Sequence, residues 1–292
     1  MQPVVTLATR RSELALRQTH LAAEHLRIRF PDTRFEILEL VTTGDKQRKL
    51  SMEKDGGKGL FTKELEEALM DGRADVAVHS AKDLPTENPE GLTLAAFLPR
   101  EAVNDVLVRH RDAKKIQFIA TSSPRRRAQC KGLYPCAAYN EIRGNVGTRL
   151  KKIARREADA TLLALAGLRR LGIDAWKELV FEPLEIDRMV PAVGQGAIAL
   201  QTRVEDAVAF APAGDAATRE AVVLERAFLR ALGGGCHTAF GGHVSGDTLH
   251  AFHEDVGRET LSFASREEAA RREEIAAFAE ALLRKARDGE AD

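Results

Sequence analysis

The feature that most constrains this chain is a regular alternation of short apolar segments with longer amphipathic ones through its first two thirds. Apolar or period-two segments read as strands and segments of period 3.6 as helices. Strict alternation of the two is the grammar of strands crossing over through helices into parallel sheets. The pattern predicts strands over 4–8, 35–41, 75–79 and 92–97, with helices over 13–30 and 61–70. A second run repeats it, with strands over 117–120, 138–142 and 160–165 and helices over 124–132 and 145–157. Two similar α/β units imply two lobes with a cleft between them, and ligands of open parallel sheets sit beyond the carboxyl ends of the strands. From about residue 219 a long helical stretch reaches Leu232 and stops at Gly233, Gly234 and Gly235, because glycine ends a helix at little cost. The remainder, short alternating strands and a charged amphipathic helix over 266–286, reads as a small third domain.

Composition narrows the function. A length of 292 residues favours two or three compact units. Lys plus Arg and Asp plus Glu both number 44, so overall charge gives no support for nucleic-acid binding, and any basic site must be local. The N-terminus reaches Arg10 and Arg11 before any long apolar run, which fits neither a signal peptide nor a membrane span and leads us to expect a cytoplasmic protein. The three cysteines, Cys130, Cys136 and Cys236, are an odd number in a chain with no export signal, which argues against a disulfide scaffold. None has a partner at metal-finger spacing, so no metal site is expected.

Several motifs fall at the ends of expected strands. HSAKDLP, at 79–85, places Ser80, Lys82 and Asp83 there; its plain alternative is a helix start, with Ser80 as N-cap and Asp83 completing a capping box. ATSSPRRRAQ, at 120–129, pairs an N-cap serine, Ser123, with Pro124 in the first turn. Backbone amides, hydroxyls of Thr121, Ser122 and Ser123, and guanidiniums among Arg125, Arg126 and Arg127 could then converge on an anion. Three adjacent arginines cannot all point one way, so some belong in the cleft and others in solvent. IRGNVGTRL, at 142–150, puts Arg143 and Arg149 around a glycine turn capped by Asn145, and LAGLRRLG, at 165–172, adds Arg169 and Arg170. Arginines at successive strand ends suit a polycarboxylate or phosphate ligand, whose oxygens match the guanidinium fork. The loop around Lys58, flanked by Gly56, Gly57 and Gly59, is long and polar enough to be a lid but lacks phosphate-loop spacing. PAVGQGAIAL, at 191–200, reads as a tight turn feeding a strand back into the first lobe. Cys236, after its glycine run, is open to two readings, a ligand-adjacent thiol or a small buried hydrophobe.

Taken in order, HSAKDLP, TSSPRR, RGNVGTRL, AGLRRLG, PAVGQGA and GGGC resemble the porphobilinogen deaminase family from about residue 6 to Cys236. The resemblance implies an α/β fold of two lobes built like type II periplasmic binding proteins plus a small α+β C-terminal domain. The domains would be 1–97 with 191–213, then 98–190, then 214–292. It implies a dipyrromethane cofactor on a thioether to Cys236, with Asp83 as the catalytic aspartate. Arg10, Ser12, Lys58, Ser80, Lys82, Thr121, Ser123, Arg125, Arg126, Arg143, Arg149, Arg170 and Gln195 fall on positions that bind cofactor or substrate. The implied partners are porphobilinogen and the growing oligopyrrole, with no nucleic acid or membrane. A monomer is implied too, whose product passes to uroporphyrinogen-III synthase. Each porphobilinogen carries an acetate and a propionate, so the oligopyrrole is a polyanion. Loss of ammonia from the aminomethyl group leaves an electrophilic azafulvene, which the free α-carbon of the terminal pyrrole attacks, and Asp83 could stabilise the cationic intermediates. Ala120 stands where the family usually has glycine, and Pro124 where leucine is common.

Two rivals use the same features. A two-lobed organic-anion binding protein would need the arginines and give Cys236 no role. A nucleotide-using enzyme would draw on the glycine–lysine loop, but the complete phosphate or dinucleotide motif is missing.

Overall fold

Residues 3–43, 61–233 and 239–289 are described by a computed structural model. Along the first lobe the chain forms β1 (Val4–Arg10), α1 (Glu13–Arg29), β2 (Arg34–Leu40), α2 (Lys63–Met70), β3 (Val76–Ser80), a 3-10 turn (Ala81–Asp83) and β4 (Leu92–Phe97). It then builds a second sheet from β5 (Asp105–His110), β6 (Phe118–Ala120), α3 (Pro124–Leu133), β7 (Ala138–Asn140), α4 (Val146–Ala154), β8 (Ala160–Ala164), α5 (Leu165–Arg170) and β9 (Leu179–Pro183). β10 (Ile198–Arg203) returns to the first sheet, and α6 (Ala207–Phe210) and α7 (Ala216–Ala231) follow. A three-stranded antiparallel meander of β11 (Phe240–Ser245), β12 (Thr248–His253) and β13 (Gly257–Ser262), then α8 (Glu268–Gly289), completes the described chain.

The two five-stranded sheets share one topology. The first has the order β2-β1-β3-β10-β4 and the second β7-β6-β8-β5-β9. In each, one strand runs antiparallel to both neighbours: β10 between β3 and β4, and β5 between β8 and β9. These are the strands on which the chain enters one sheet from the other. The alternation predicts parallel sheets; the crossing strand makes each of them mixed. The fold is thus α/β, two like-built sheets with a small α+β unit, as the sequence implies.

Near-continuous apolar runs, whose side chains point to the two faces in turn, explain why each large sheet is covered on both. In the first, Leu7, Val76 and Val78 pack with Ala22, Ala23 and Leu26 of α1, while their neighbours Ala8 and Ala77 pack with Leu65, Ala68 and Leu69 of α2. Leu26 is fully buried, so Leu26→Ala would cost about 2–5 kcal/mol. The second sheet divides likewise, with Val106, Val108 and Leu163 on one face and Leu107, Ile119 and Leu162 on the other. The meander has its own core, where Leu224 and Phe228 of α7 meet Val244, Leu249 and Ala251 and Ile275, Ala279 and Leu282 of α8. The described chain divides into two compact units, Met1–Glu101 with Gly196–Arg219, and Ala102–Gln195 with Glu220–Asp292. No described helix is long and apolar enough to cross a membrane.

The C-terminal helix corrects one expectation. Its charged sequence predicts a solvated outer face that includes Arg271, yet Arg271 is buried. It donates to Glu220 Oε1 (2.9 Å) and Ser265 O (2.8 Å), pairs with Asp247, and lies over the Phe263 ring. Two carboxylates and an aromatic face make that burial tolerable for a guanidinium.

Candidate active site

In the first unit the candidate residues cluster at the carboxyl ends of β1 and β3. Arg10 closes β1 with its guanidinium 4.1 Å from the centroid of the Phe61 ring, a cation–π contact. Ser12 caps α1, its Oγ accepting from Ala15 N at 3.3 Å, so this serine has a structural duty as well. Ser80 ends β3, and its hydroxyl exchanges hydrogen bonds with the Gln18 amide, accepting from Nε2 (2.8 Å) and donating to Oε1 (3.0 Å).

The plain alternative for HSAKDLP is a capped helix, and that helix does not form. The turn is three residues of 3-10 geometry, and Ser80 makes no side-chain cap. Asp83 is exposed, and among the described residues its carboxylate takes no hydrogen bond or ion pair. Lys82 beside it is exposed as well. Behind the motif, His79 is buried and hydrogen-bonded through Nε2 to Gln201 Oε1 (3.0 Å); burial pushes its pKa down to about 4, so the ring is neutral. Lys58 and Cys236 lie outside the described residues.

In the second unit three strand ends lead into helices. After β6, Thr121 Oγ1 accepts from Ser123 N (3.2 Å) and Ser123 Oγ caps α3 by accepting from Arg126 N (3.4 Å), with Pro124 in the first turn. Ser122 Oγ donates to Ile142 O (2.8 Å) and accepts from Ile142 N (3.2 Å), tying this turn to the one after β7. There Asn145 Oδ1 caps α4 by accepting from Thr148 N (2.8 Å). Gly144 has φ +113°, and a Cβ on it would lie 2.8 Å from Thr148 Cγ2, so only glycine fits. Two capped helix N-termini of eight residues or more thus sit at one end of the sheet, where the helix dipole favours negative charge. Arg149 lies back across its own helix start, donating from Nε to Gly144 O (2.7 Å), while Arg143 is partly buried and paired with Glu141 (3.2 Å). Arg170 is the last residue of α5 and is partly buried.

Arg125 and Arg126 are not on the surface. Both are 7% exposed and share one fully buried carboxylate, Asp105, through Arg125 to Oδ2 (2.7 Å) and Arg126 to Oδ1 (2.7 Å). The Gln195 amide donates to the same Oδ1 (3.1 Å) and to Val103 O (2.7 Å). Burial alone would raise the Asp105 pKa, but the two guanidiniums outweigh it and hold the carboxyl well below the usual range. Of the three adjacent arginines, Arg127 is only partly buried, which is the split that helical spacing requires.

Sequence reasoning missed Asp105, whose one signal is an acid heading the apolar run DVLV. It also missed Glu225, fully buried in α7, which accepts from Gly194 N (2.7 Å), Val244 N (2.9 Å) and His243 Nδ1 (3.0 Å) and so ties the VGQG turn to the meander.

Comparison with known proteins identifies relatives of the chain. A family model described as "Porphobilinogen deaminase, dipyromethane cofactor binding domain" matches residues 5–210. The porphobilinogen deaminase of Nitrobacter hamburgensis is 45% identical over 262 residues, covering 85% of this chain and 81% of its own. That of Nitrobacter winogradskyi is 46% identical over 261 residues, covering 84% and 81%. Among solved structures, the periplasmic VFT2 domain of Bordetella pertussis BvgS aligns at 18% identity and a TM-score of 0.44, over 72% of this chain and 86% of its own. On the family match and the identity to these deaminases over most of its length, the chain belongs to the porphobilinogen deaminase family.

Proposed function

We propose that this chain condenses four porphobilinogen molecules head to tail, with loss of ammonia at each addition, and releases the linear tetrapyrrole hydroxymethylbilane. It is a transferase of tetrapyrrole and heme biosynthesis, built around a dipyrromethane cofactor attached to Cys236. The family match and the deaminases at 45% and 46% identity support this.

The donor set of the second unit fits such a group. Two buried guanidiniums against one carboxylate leave a net positive charge for the acetate and propionate arms of pyrroles. Arg143 and Arg149 around the β7–α4 turn, with Arg170 at the end of α5, would extend the same chemistry, each charge-assisted bond contributing about 1.5–3 kcal/mol. Arg10, Ser12, Ser80 and Lys82, with Lys58, would hold substrate at the first unit, and Thr121, Ser123 and Gln195 would do so at the second. When bound, the cofactor supplies the free α-carbon of its terminal pyrrole as nucleophile.

What carries the function beyond binding is Asp83, an exposed carboxylate at the end of β3 with no partner among the described residues and no cap to serve. It would accept pyrrole N–H bonds and offset the positive charge that develops as ammonia leaves the substrate's aminomethyl carbon. General acid–base work of this kind typically contributes about 10²- to 10⁴-fold. A non-catalytic anion-binding protein would leave such a carboxylate without work.

The separate core of the meander supports dividing the second unit further, so that the domains are 1–97 with 191–213, 98–190 and 214–292. Family resemblance supports a cytoplasmic monomer that hands its product to uroporphyrinogen-III synthase. The test of the function is porphobilinogen consumption by the purified chain, with intact mass read in parallel. A protein that carries the adduct and consumes no porphobilinogen would contradict it.

A further inference from the structure

A fully buried carboxylate joins the two arginines at the start of α3. Asp105 opens β5, and because β5 runs antiparallel to β8, Asp105 sits opposite Ala164, the last residue of β8. That is the end of the sheet where α3, α4 and α5 begin. Asp105 is fully buried, and its two oxygens accept from Arg125, from both Nε (3.1 Å) and NH2 (2.7 Å) of Arg126, and from Gln195. Each guanidinium also donates to a main-chain carbonyl, Arg125 to Val190 O (2.6 Å) and Arg126 to Leu162 O (2.8 Å). No other carboxylate among the described residues pairs with either. Two guanidiniums less one carboxylate leave the cluster with a single positive charge.

We propose that Asp105 is a positioning residue for the polyanionic ligand, acting through Arg125, Arg126 and Gln195; the inference rests on the function proposed above. It neutralises one guanidinium and fixes the fork of the other, so that the cluster directs one net positive charge toward one ligand carboxylate. A chain that grows by successive additions must be held and also advance. Binding that is uniformly tighter lowers KM without raising kcat, and an over-tight site slows each advance. Gln195 joins the cluster from the turn before β10, so the same carboxylate also anchors that turn.

The test uses the full chain with Asp105→Asn, which keeps the shape and an acceptor oxygen but raises the cluster from one net positive charge to two. Thermal midpoint is followed against citrate concentration at constant ionic strength, and kcat and KM for porphobilinogen are measured on adduct-bearing protein. The proposal expects citrate to stabilise the variant more steeply than wild type, with apparent affinity at least about tenfold tighter. It also expects kcat to fall at least about tenfold while KM falls or holds. If Asp105→Asn unfolds in plain buffer, citrate should refold it. A merely structural ion pair would lower the midpoint equally at every citrate concentration. That parallel response, a variant that citrate cannot refold, or a raised KM with unchanged kcat would overturn the proposal. Should wild type consume no porphobilinogen while the citrate response follows expectation, the deaminase function falls and the role of Asp105 stands.

Discussion

Replacing Asp83 by asparagine separates charge from shape at the position on which the catalytic proposal depends. Asp83 is exposed, lies in a three-residue turn and makes no hydrogen bond or ion pair among the described residues, so the fold loses nothing measurable with its charge. The stability change should stay within about 0.5 kcal/mol, the usual range for surface positions. Had Asp83 served only as a helix cap, the amide would keep a capping oxygen and both stability and activity would hardly change. Activity should respond quite differently. The amide can still accept one hydrogen bond but offers no negative charge to a developing cation and no site for a proton. A roughly 10²-fold loss in turnover corresponds to about 2.7 kcal/mol of transition-state stabilisation at 1.36 kcal/mol per tenfold. The assay is porphobilinogen consumption by Asp83→Asn whose thermal midpoint matches wild type and whose adduct is confirmed by mass. Near-normal turnover in that sample would refute the role of Asp83.

Other outcomes follow from the same geometry. Arg143→Leu or Arg149→Leu should lower the rate of chain elongation roughly 10- to 100-fold, as expected from losing a charge-assisted bond. Arg284→Leu, whose exposed side chain pairs among the described residues only with Glu280 one turn away, should leave elongation unchanged; equal small effects at all three would return these arginines to a solvated face. Cys136 is exposed and should react with a thiol reagent in the native protein, whereas Cys130 is buried with its thiol pushed up to about 12 and should react only on unfolding. Rapid native labelling of Cys130 would contradict its placement on the buried face of α3. His79 is neutral in the folded protein, its pKa lowered from 6.5 to about 4, so below 6.5 the unfolded chain takes up a proton that the folded chain refuses. Its contribution is therefore complete above pH 6.5 and lost as pH falls toward 4, by up to about 3 kcal/mol. Urea titrations should show a shallower loss over that window in His79→Asn, and identical slopes would contradict the buried neutral ring.

Most of the fold was legible because strands buried on both faces announce themselves as apolar runs and their helices as amphipathic ones. The strand over 92–97 was read with its observed limits, and α1 and α3 to within a residue at the end that shifted. β5 and β9 escaped, and with them the antiparallel character of the crossing strands. β5 opens with an acid and β9 is five residues ending in proline, so neither stands out in a local window. The motifs marked the right strand ends, because a capping serine or asparagine after an apolar run is a local signal. The commitment of Arg125 and Arg126 to Asp105 was not legible, since the acid lies 20 and 21 residues away in sequence and meets them only through sheet order. Arg271 failed for the same reason. Its partners Glu220 and Asp247 come from α7 and from the turn before β12, and no helical periodicity reports contacts of that range.

The most direct test of the central claim is the intact mass of the purified chain and of its three cysteine variants. The account predicts a dipyrromethane adduct on wild type, Cys130→Ser and Cys136→Ser that is absent from Cys236→Ser, together with loss of porphobilinogen consumption in that variant alone. An adduct that survives in Cys236→Ser, or a wild-type chain that consumes porphobilinogen with no adduct at all, would contradict it.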